Sequence, residues 1–186
     1  MNQALFIEYA HVGIIQFGHF TGGVPIAFHL TLLPSFPRLL HDTASALTPY
    51  FIKETPRDRI LTTRNTIALG AVLATLTDIP LLYPHGDPLD YTAAFAIEGT
   101  ADVGNPVVLL TDVYTDGHVE NEISNRASRV GLPPHHTVAV INANPKSSVE
   151  ALFQLTEGLT WLVEAEVITL TMQAAIQTWQ AGLSAS

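Results

Sequence analysis

A chain of 186 residues with a formal net charge of −9 and 13% charged residues has the length of one domain, or of a domain with a small subdomain. Its acidic balance argues against a nucleic-acid binder, which needs a basic face, and its 47% apolar content places it outside the disordered range. The absence of cysteine excludes disulfides, thiolate metal sites, iron–sulfur clusters and cysteine nucleophiles.

Asn2 to Gln16 spaces Leu5, Phe6, Tyr9, Val12 and Ile15 as a helix does. FGHFTGGVPIAFHLTLL then breaks at Gly22-Gly23 and alternates, which predicts a short hairpin. Phe36 to Ile52 reads as a helix introduced by prolines. Ile60 to Thr63 is a buried strand, Ile67 to Thr77 an apolar helix, Ile79 to Tyr83 a strand, PHGDPLD a loop and Tyr91 to Ile97 an arm strand. The unbroken Val/Leu run of Pro106 to Asp112 suits a parallel strand buried on both faces. His118 to Val130 is a helix stopped by Gly131, and Thr137 to Asn142 another buried strand. Ser147 to Thr156 is expected as a helix capped by a serine, LTWLVEA as a strand, Val167 to Ala181 as the final helix, and GLSAS as a frayed tail.

Strands alternating with helices predict an α/β fold: a central, mostly parallel sheet flanked by helices with right-handed crossovers. The expected division is a single domain, 1–186, with an N-terminal helix and hairpin hood over 1–35 and an α/β core over 36–186. The low charge fraction predicts surface hidden in an oligomer. No apolar run reaches the roughly 18 residues of a membrane span, and MNQALFIEYAHVG has no basic region of a signal peptide. The expectation is therefore a soluble, cytoplasmic protein.

Open α/β sheets bind ligands at the carboxyl ends of their strands. Here LLTDVYTDGHVE runs from strand through a Thr/Asp/Gly turn into a helix. Backbone N–H groups and a helix N-terminus can cradle a phosphate in such a place. An ordinary strand–helix turn gives the same spacing.

VVLLTDVYTDG resembles the phosphoribosyl-diphosphate (PRPP) signature of type I phosphoribosyltransferases: apolar residues, two acidic residues, two apolar residues and a Thr-Thr-Gly-type turn. FGHFT followed by Pro25 and a proline-flanked helix is similar to the N-terminus of orotate phosphoribosyltransferases. So is IPLLY followed by a polar loop, DY, AIEG and Gly104 ahead of the signature. The similarity runs from about residue 13 to residue 145.

The resemblance implies a homodimer with shared active sites that transfers ribose 5-phosphate from PRPP to a pyrimidine, with Mg²⁺ as cofactor. It implies that Asp112 holds the ribose hydroxyls, and that Thr111 and Asp112 with the turn Tyr114, Thr115, Asp116, Gly117 and His118 cradle ribose and 5′-phosphate. It further implies that Arg64, Asn65 and Thr66, within the turn Thr63 to Gly70, lie beside the diphosphate. Asp112 and His85 are the candidate catalytic residues, and Phe17 and Phe20 are candidates to stack on a base, core packing being the alternative.

The departures concern charge. Where the family has an Arg-Lys-Glu-x-Lys run, this chain has His85-Gly86-Asp87-Pro88-Leu89; the N-terminal Lys is lost in the shortened FTGG. The Asp-Arg pair beyond TVAVI reads Asn142-Ala143, the first signature acid is Thr111, and the Thr-Thr-Gly turn is Thr115-Asp116-Gly117. A carboxylate about 4 Å from a phosphate costs roughly 1–4 kcal/mol per charge pair, depending on the local dielectric. Of the basic residues Arg38, Lys53, Arg57, Arg59, Arg64, Arg126, Arg129 and Lys146, only Arg64 is expected near the diphosphate.

The cluster Asp112, Asp116, His118 and Glu120 has three readings: helix-capping groups, a divalent metal site on Asp112 and Asp116, or an altered anion or sugar site. His135 and His136 in an extended segment point to opposite faces. Asp87 and Asp90 read as solvated loop charges, and Ser147-Ser148 lacks the context of a hydrolase. Trp161 and Trp179 read as core or interface residues. The functional expectation is a phosphoribosyltransferase-like protein with lost or strongly reduced catalysis and a ligand-binding or regulatory role, its ligand a phosphorylated sugar or nucleotide. The alternatives are an active enzyme with an atypical site using His85 and Arg64, and a purely structural dimer or partner subunit.

Overall fold

The computed structural model describes residues 2–52, 59–84, 97–100 and 104–183. Its centre is a sheet in the order β5-β4-β3-β6-β7-β8, built from β3 (Arg59–Thr62), β4 (Leu81–Pro84), β5 (Ile97–Glu98), β6 (Val107–Tyr114), β7 (Pro134–Asn142) and β8 (Glu150–Gln154). All pairs are parallel except β4 with β5. The run VVLL alternates its side chains between the two faces. Val108 and Leu110 join Ile60, Val138 and Val140 in the main core, whereas Val107 and Leu109 join Leu61 and Leu82 in a smaller one. Burial on both faces is what the unbroken apolar pattern requires.

The smaller core is covered by α4 (His118–Arg129) through Ile123 and Ala127. The main core is covered by α2 (Pro37–Phe51), α3 (Ile67–Thr77), α5 (Leu155–Glu164) and α6 (Leu170–Ala181). The N-terminal helix α1 (Asn2–His11) buries Leu5, Phe6 and Tyr9 in the same core. The Phe6 ring lies 5.0 Å from that of Phe153 and 5.9 Å from that of Trp161, so Trp161 packs as a core residue. The Tyr9 hydroxyl lies 2.6 Å from the Thr43 Oγ1, which donates onward to the Leu39 carbonyl at 2.7 Å. Burial raises the Tyr9 pKa far above its ordinary value.

Helix α1 is shorter than the apolar spacing predicts. Gly13 takes a φ of +77°, a left-handed conformation that ends helices. Residues 15–17 then form β1 (Ile15–Phe17), paired antiparallel with β2 (Ile26–Phe28) as the predicted hairpin.

Two expectations near the C-terminus are corrected. Ser147 to Thr156 is not a helix: seven residues, 143–149, connect β7 to β8 without one. The Ser147 Oγ accepts from the Val149 amide at 3.1 Å, a local turn rather than a helix cap. Nor is LTWLVEA a strand. It lies in α5, where Leu155, Gly158, Leu159 and Leu162 face the core at a helical spacing. Both differences have one reason: this parallel crossover dispenses with the usual helix, so the strand–helix alternation breaks here. The tail 184–186, most of the predicted arm strand (91–96) and the loop 85–90 lie outside the described residues.

Candidate functional site at the carboxyl end of the sheet

The carboxyl ends of β3 and β6 bring the 63–66 turn beside the strand that ends in Asp112 and Tyr114. Thr63 and Thr66 make a reciprocal capping pair. Thr66 is fully buried and its hydroxyl donates to the Leu110 carbonyl at 2.9 Å, which ties this turn to β6. Asn65 lies at the surface, and its Nδ2 donates to Asp112 Oδ2 at 2.8 Å. Thr63 Oγ1 donates to Asp112 Oδ1 at the long distance of 3.5 Å. The expected partners Asp112, Asn65 and Arg64 therefore stand together, while Thr66 spends its hydroxyl inside the fold.

After β6 the chain turns through 115–117 into α4. Gly117 has a φ of +77°, and a Cβ there would come 2.8 Å from the Tyr114 hydroxyl, so position 117 requires glycine. The backbone amide of His118 donates to Asp116 Oδ1 at 3.1 Å, and Thr115 Oγ1 donates to the same oxygen at 3.4 Å. The Asp116 carboxylate thus occupies an N–H group of the kind that a helix start offers to an anion.

The loop after β7 buttresses this turn. The fully buried Asn144 donates from Nδ2 to the Thr115 carbonyl at 2.6 Å, and the Ala143 amide donates to the Tyr114 carbonyl at 2.9 Å. Asn144 was not singled out in the sequence. The Asn142-Ala143-Asn144-Pro145 pattern at a strand end was the signal that could have found it.

Thr111 and Glu120 form a second feature. Both are buried, Glu120 at 6% exposure, and the Thr111 hydroxyl donates to Glu120 Oε1 at 2.6 Å. Position 111, where the PRPP signature has its first acid, thus reaches a carboxyl contributed by the helix. Burial pushes the Glu120 pKa up, the Thr111 hydrogen bond and the backbone oppose this, and the charges of Asp112 and Asp116 add to the rise. A carboxyl whose pKa is raised on folding contributes stability below its unfolded value, and that stability is lost as pH rises through its folded value. Glu120→Gln is therefore expected to gain stability relative to the parent as pH rises from the ordinary value of 4.5. Urea titrations over a pH series check this; parallel curves for both proteins would refute it.

Beside Asp112 lies a cavity of about 290 Å³ between the 63–65 turn and α4. Arg64 and Arg126 reach it, as do Asp112, Glu120 and Glu122, and Val113, Val119, Ile123 and Pro84 supply apolar walls. Arg126, which the sequence did not single out, forms an ion pair with Glu122 one helical turn away. Lys146 is directed elsewhere: its Nζ donates to the carbonyls of Ala181 and Leu183 at 2.9 and 2.7 Å, capping the end of α6. Arg38 pairs with Glu8 and Asp42.

The aromatic candidates stand apart. Phe17 packs against the main core, Phe20 precedes the 3-10 turn of the hairpin, and neither lines the cavity beside Asp112. His85 lies outside the described residues. Among the described residues no three His, Asp or Glu side chains converge as a metal site. Likewise, no described helix is long and apolar enough to cross a membrane.

No protein-family model matches the sequence. The structure is similar to that of UMP synthase from Leishmania donovani, with a TM-score of 0.85 and 20% identity over 97% of this chain. This chain spans 42% of that protein. It is also similar to orotate phosphoribosyltransferase from Francisella tularensis, at TM-score 0.69 and 20% identity, covering 99% of this chain and 98% of that one. The orotate phosphoribosyltransferase of Mycobacterium tuberculosis, in complex with inorganic phosphate, matches at TM-score 0.59 and 13% identity over 85% of this chain and 91% of that one. The parallel sheet, the order of its strands and these neighbours together give the chain the fold of the type I phosphoribosyltransferases.

Proposed function

We propose that this chain is a phosphoribosyltransferase-like protein that has lost, or strongly reduced, ribosyl transfer and keeps a ligand-binding or regulatory role at the carboxyl end of its sheet. The observation that carries this reading is the Asp116 carboxylate on the His118 amide. A phosphate entering the turn must displace that carboxylate or sit beside it, and the charge repulsion costs about 1–4 kcal/mol per pair. Lys146 and Arg38 are engaged away from the turn, and Arg64 and Arg126 line the cavity on the α4 side. Removal of a single transition-state donor costs on the order of 3 kcal/mol, so several replacements together remove most of an enzyme's advantage.

Mg²⁺, which the resemblance implies, fits here only as an ion held jointly by Asp112 and the phosphates of a ligand. Mg²⁺ is commonly bound through one or two carboxylates and substrate phosphates. Asp112 already accepts from Asn65. A phosphorylated sugar or nucleotide is the ligand implied by the resemblance, and inorganic phosphate, bound by the M. tuberculosis neighbour, is its simplest probe.

The test is diphosphate release from PRPP with Mg²⁺ and orotate, then with other bases. None above background is expected. Release that falls on Asp112→Asn would establish the second reading, an active enzyme with an atypical site, which the placement of Arg64 and Arg126 beside Asp112 favours.

The reading includes a homodimer. Helix α3 carries no charged residue, yet Leu76 is 40% exposed and Ala71 and Thr75 are exposed beside it. A helix apolar all round is normally covered, and a second copy of the chain is the occupant proposed for this face. Light scattering after size exclusion is expected to give twice the 20.1 kDa chain mass, and Leu76→Glu to shift it toward the monomer. A monomer at micromolar concentration for the parent would overturn the assignment.

A further inference from the structure

The cavity between the 63–65 turn and α4 combines features that neither a simple anion nor a simple cation uses fully. Its volume of about 290 Å³ is at the small end of ligand-sized cavities. Two guanidiniums, Arg64 and Arg126, and three carboxyl groups, Asp112, Glu120 and Glu122, line it. A lone anion would meet the carboxylates and a lone cation the guanidiniums. Between them Val113, Val119 and Ile123 offer an apolar wall, which a ligand carrying only charges would leave wet.

Glu120 adds an independent observation. It is 6% exposed, and among the described residues the Thr111 hydroxyl donates to it at 2.6 Å. An ionised carboxylate has about four acceptor positions. Among the described residues this one donor leaves further acceptor positions on a carboxyl that lines the cavity, and buried polar groups generally find partners. An ammonium group supplies three N–H donors from one atom. A guanidinium carries five donors in a planar fork that matches a carboxylate.

We propose that this cavity binds a small zwitterion with an apolar side chain, of the α-amino acid class. Its ammonium is directed to Glu120 and Asp112, its carboxylate to Arg64 and Arg126, and its side chain to Val113, Val119 and Ile123. The site is adjacent to the PRPP-like turn but does not use the 115–118 backbone. It rests on the reading that the protein binds a small molecule without ribosyl transfer.

Isothermal titration calorimetry on the full chain with leucine and phenylalanine tests it. Isoamylamine serves as the amine-only probe, 4-methylpentanoate as the acid-only probe and inorganic phosphate as the anion control. Saturable binding of an amino acid is expected, at least tenfold weaker for either single-charge probe. Glu120→Gln, and Val119→Trp, which fills the cavity from a half-exposed position, are each expected to weaken it at least tenfold. Circular dichroism melts confirm that the variants fold. No binding of either amino acid, binding unchanged in Val119→Trp, or equal binding of isoamylamine would overturn the proposal. The diphosphate-release assay is separate: turnover of PRPP refutes the functional reading, whereas failure of amino-acid binding without turnover refutes this inference alone.

Discussion

Gly158→Ala is expected to lower stability by about 2–3 kcal/mol, within the range of overpacking in a filled core. For a chain of this length that corresponds to a fall in Tm of about 4–12 °C. Gly158 is on the buried face of α5. A Cβ built there comes 2.3 Å from the edge of the Phe6 ring and 2.4 Å from its tip. Phe6 has nowhere simple to retreat, being fully buried and packed against Phe153 and Trp161. The methyl group that would stabilise an exposed helix therefore acts here as a wedge between α1 and α5. Thermal or urea unfolding followed by circular dichroism measures the loss. Phe6→Leu made together with Gly158→Ala is expected to cost less than the sum of the single changes, because the smaller side chain releases the clash. A Gly158→Ala protein as stable as the parent would show that α1 does not dock through this glycine.

Asp116→Thr is expected to tighten binding of inorganic phosphate or ribose 5-phosphate. The change removes a carboxylate and restores the hydroxyl that a Thr-Thr-Gly turn carries. The His118 amide, which now donates to Asp116 Oδ1 at 3.1 Å, becomes available to an anion at a helix start. Removal of a repulsion worth about 1–4 kcal/mol per charge pair corresponds to a gain from about fivefold to several hundredfold. Asn144 on the Thr115 carbonyl and the left-handed Gly117 keep the turn in place, so the gain is not consumed in reordering the loop. Calorimetry at low ionic strength, repeated at high salt, is the direct measurement, since screening shrinks an electrostatic gain. Phosphate binding equal in the parent and in Asp116→Thr would remove the main support for a catalytically silent site.

The segments 147–156 and 159–165 depart from the expected elements for one reason. Alternating strands and helices predict a helix between β7 and β8, and that expectation displaced the next helix into a strand. The chain instead crosses in seven residues, held by side-chain hydrogen bonds: the Asn144 amide to Asn142 Oδ1 at 3.0 Å, the Lys146 amide to Asn144 Oδ1 at 3.0 Å, and the Val149 amide to the Ser147 Oγ. Such bonds let short polar residues satisfy backbone groups without a helix. They depend on loop conformation, which no hydrophobic period reports. The helical spacing of Leu155, Leu159 and Leu162 is present in the sequence, and it is this spacing rather than the strand–helix alternation that the chain follows.

The site was legible in the same uneven way. Asp112 and the 115–118 turn follow from a strand, a Gly/Asp/Thr turn and a helix in succession, since local geometry dictates where they lie, whereas Asn65 enters only through the family resemblance. Arg126 becomes a neighbour of Arg64 only when α4 packs across β6. The bond from Thr111 to Glu120 likewise depends on that packing and not on sequence spacing.

By itself the sequence determined the parallel α/β architecture, because buried apolar strands and amphipathic helices leave few ways to hide their faces. It also determined the shortage of cations, which is a matter of counting. The tertiary structure alone decided which charges meet across the fold: that Lys146 caps α6, and that Glu120 is buried against Thr111. Electrostatic interactions depend on distance and burial, and both are set only when remote segments come into contact.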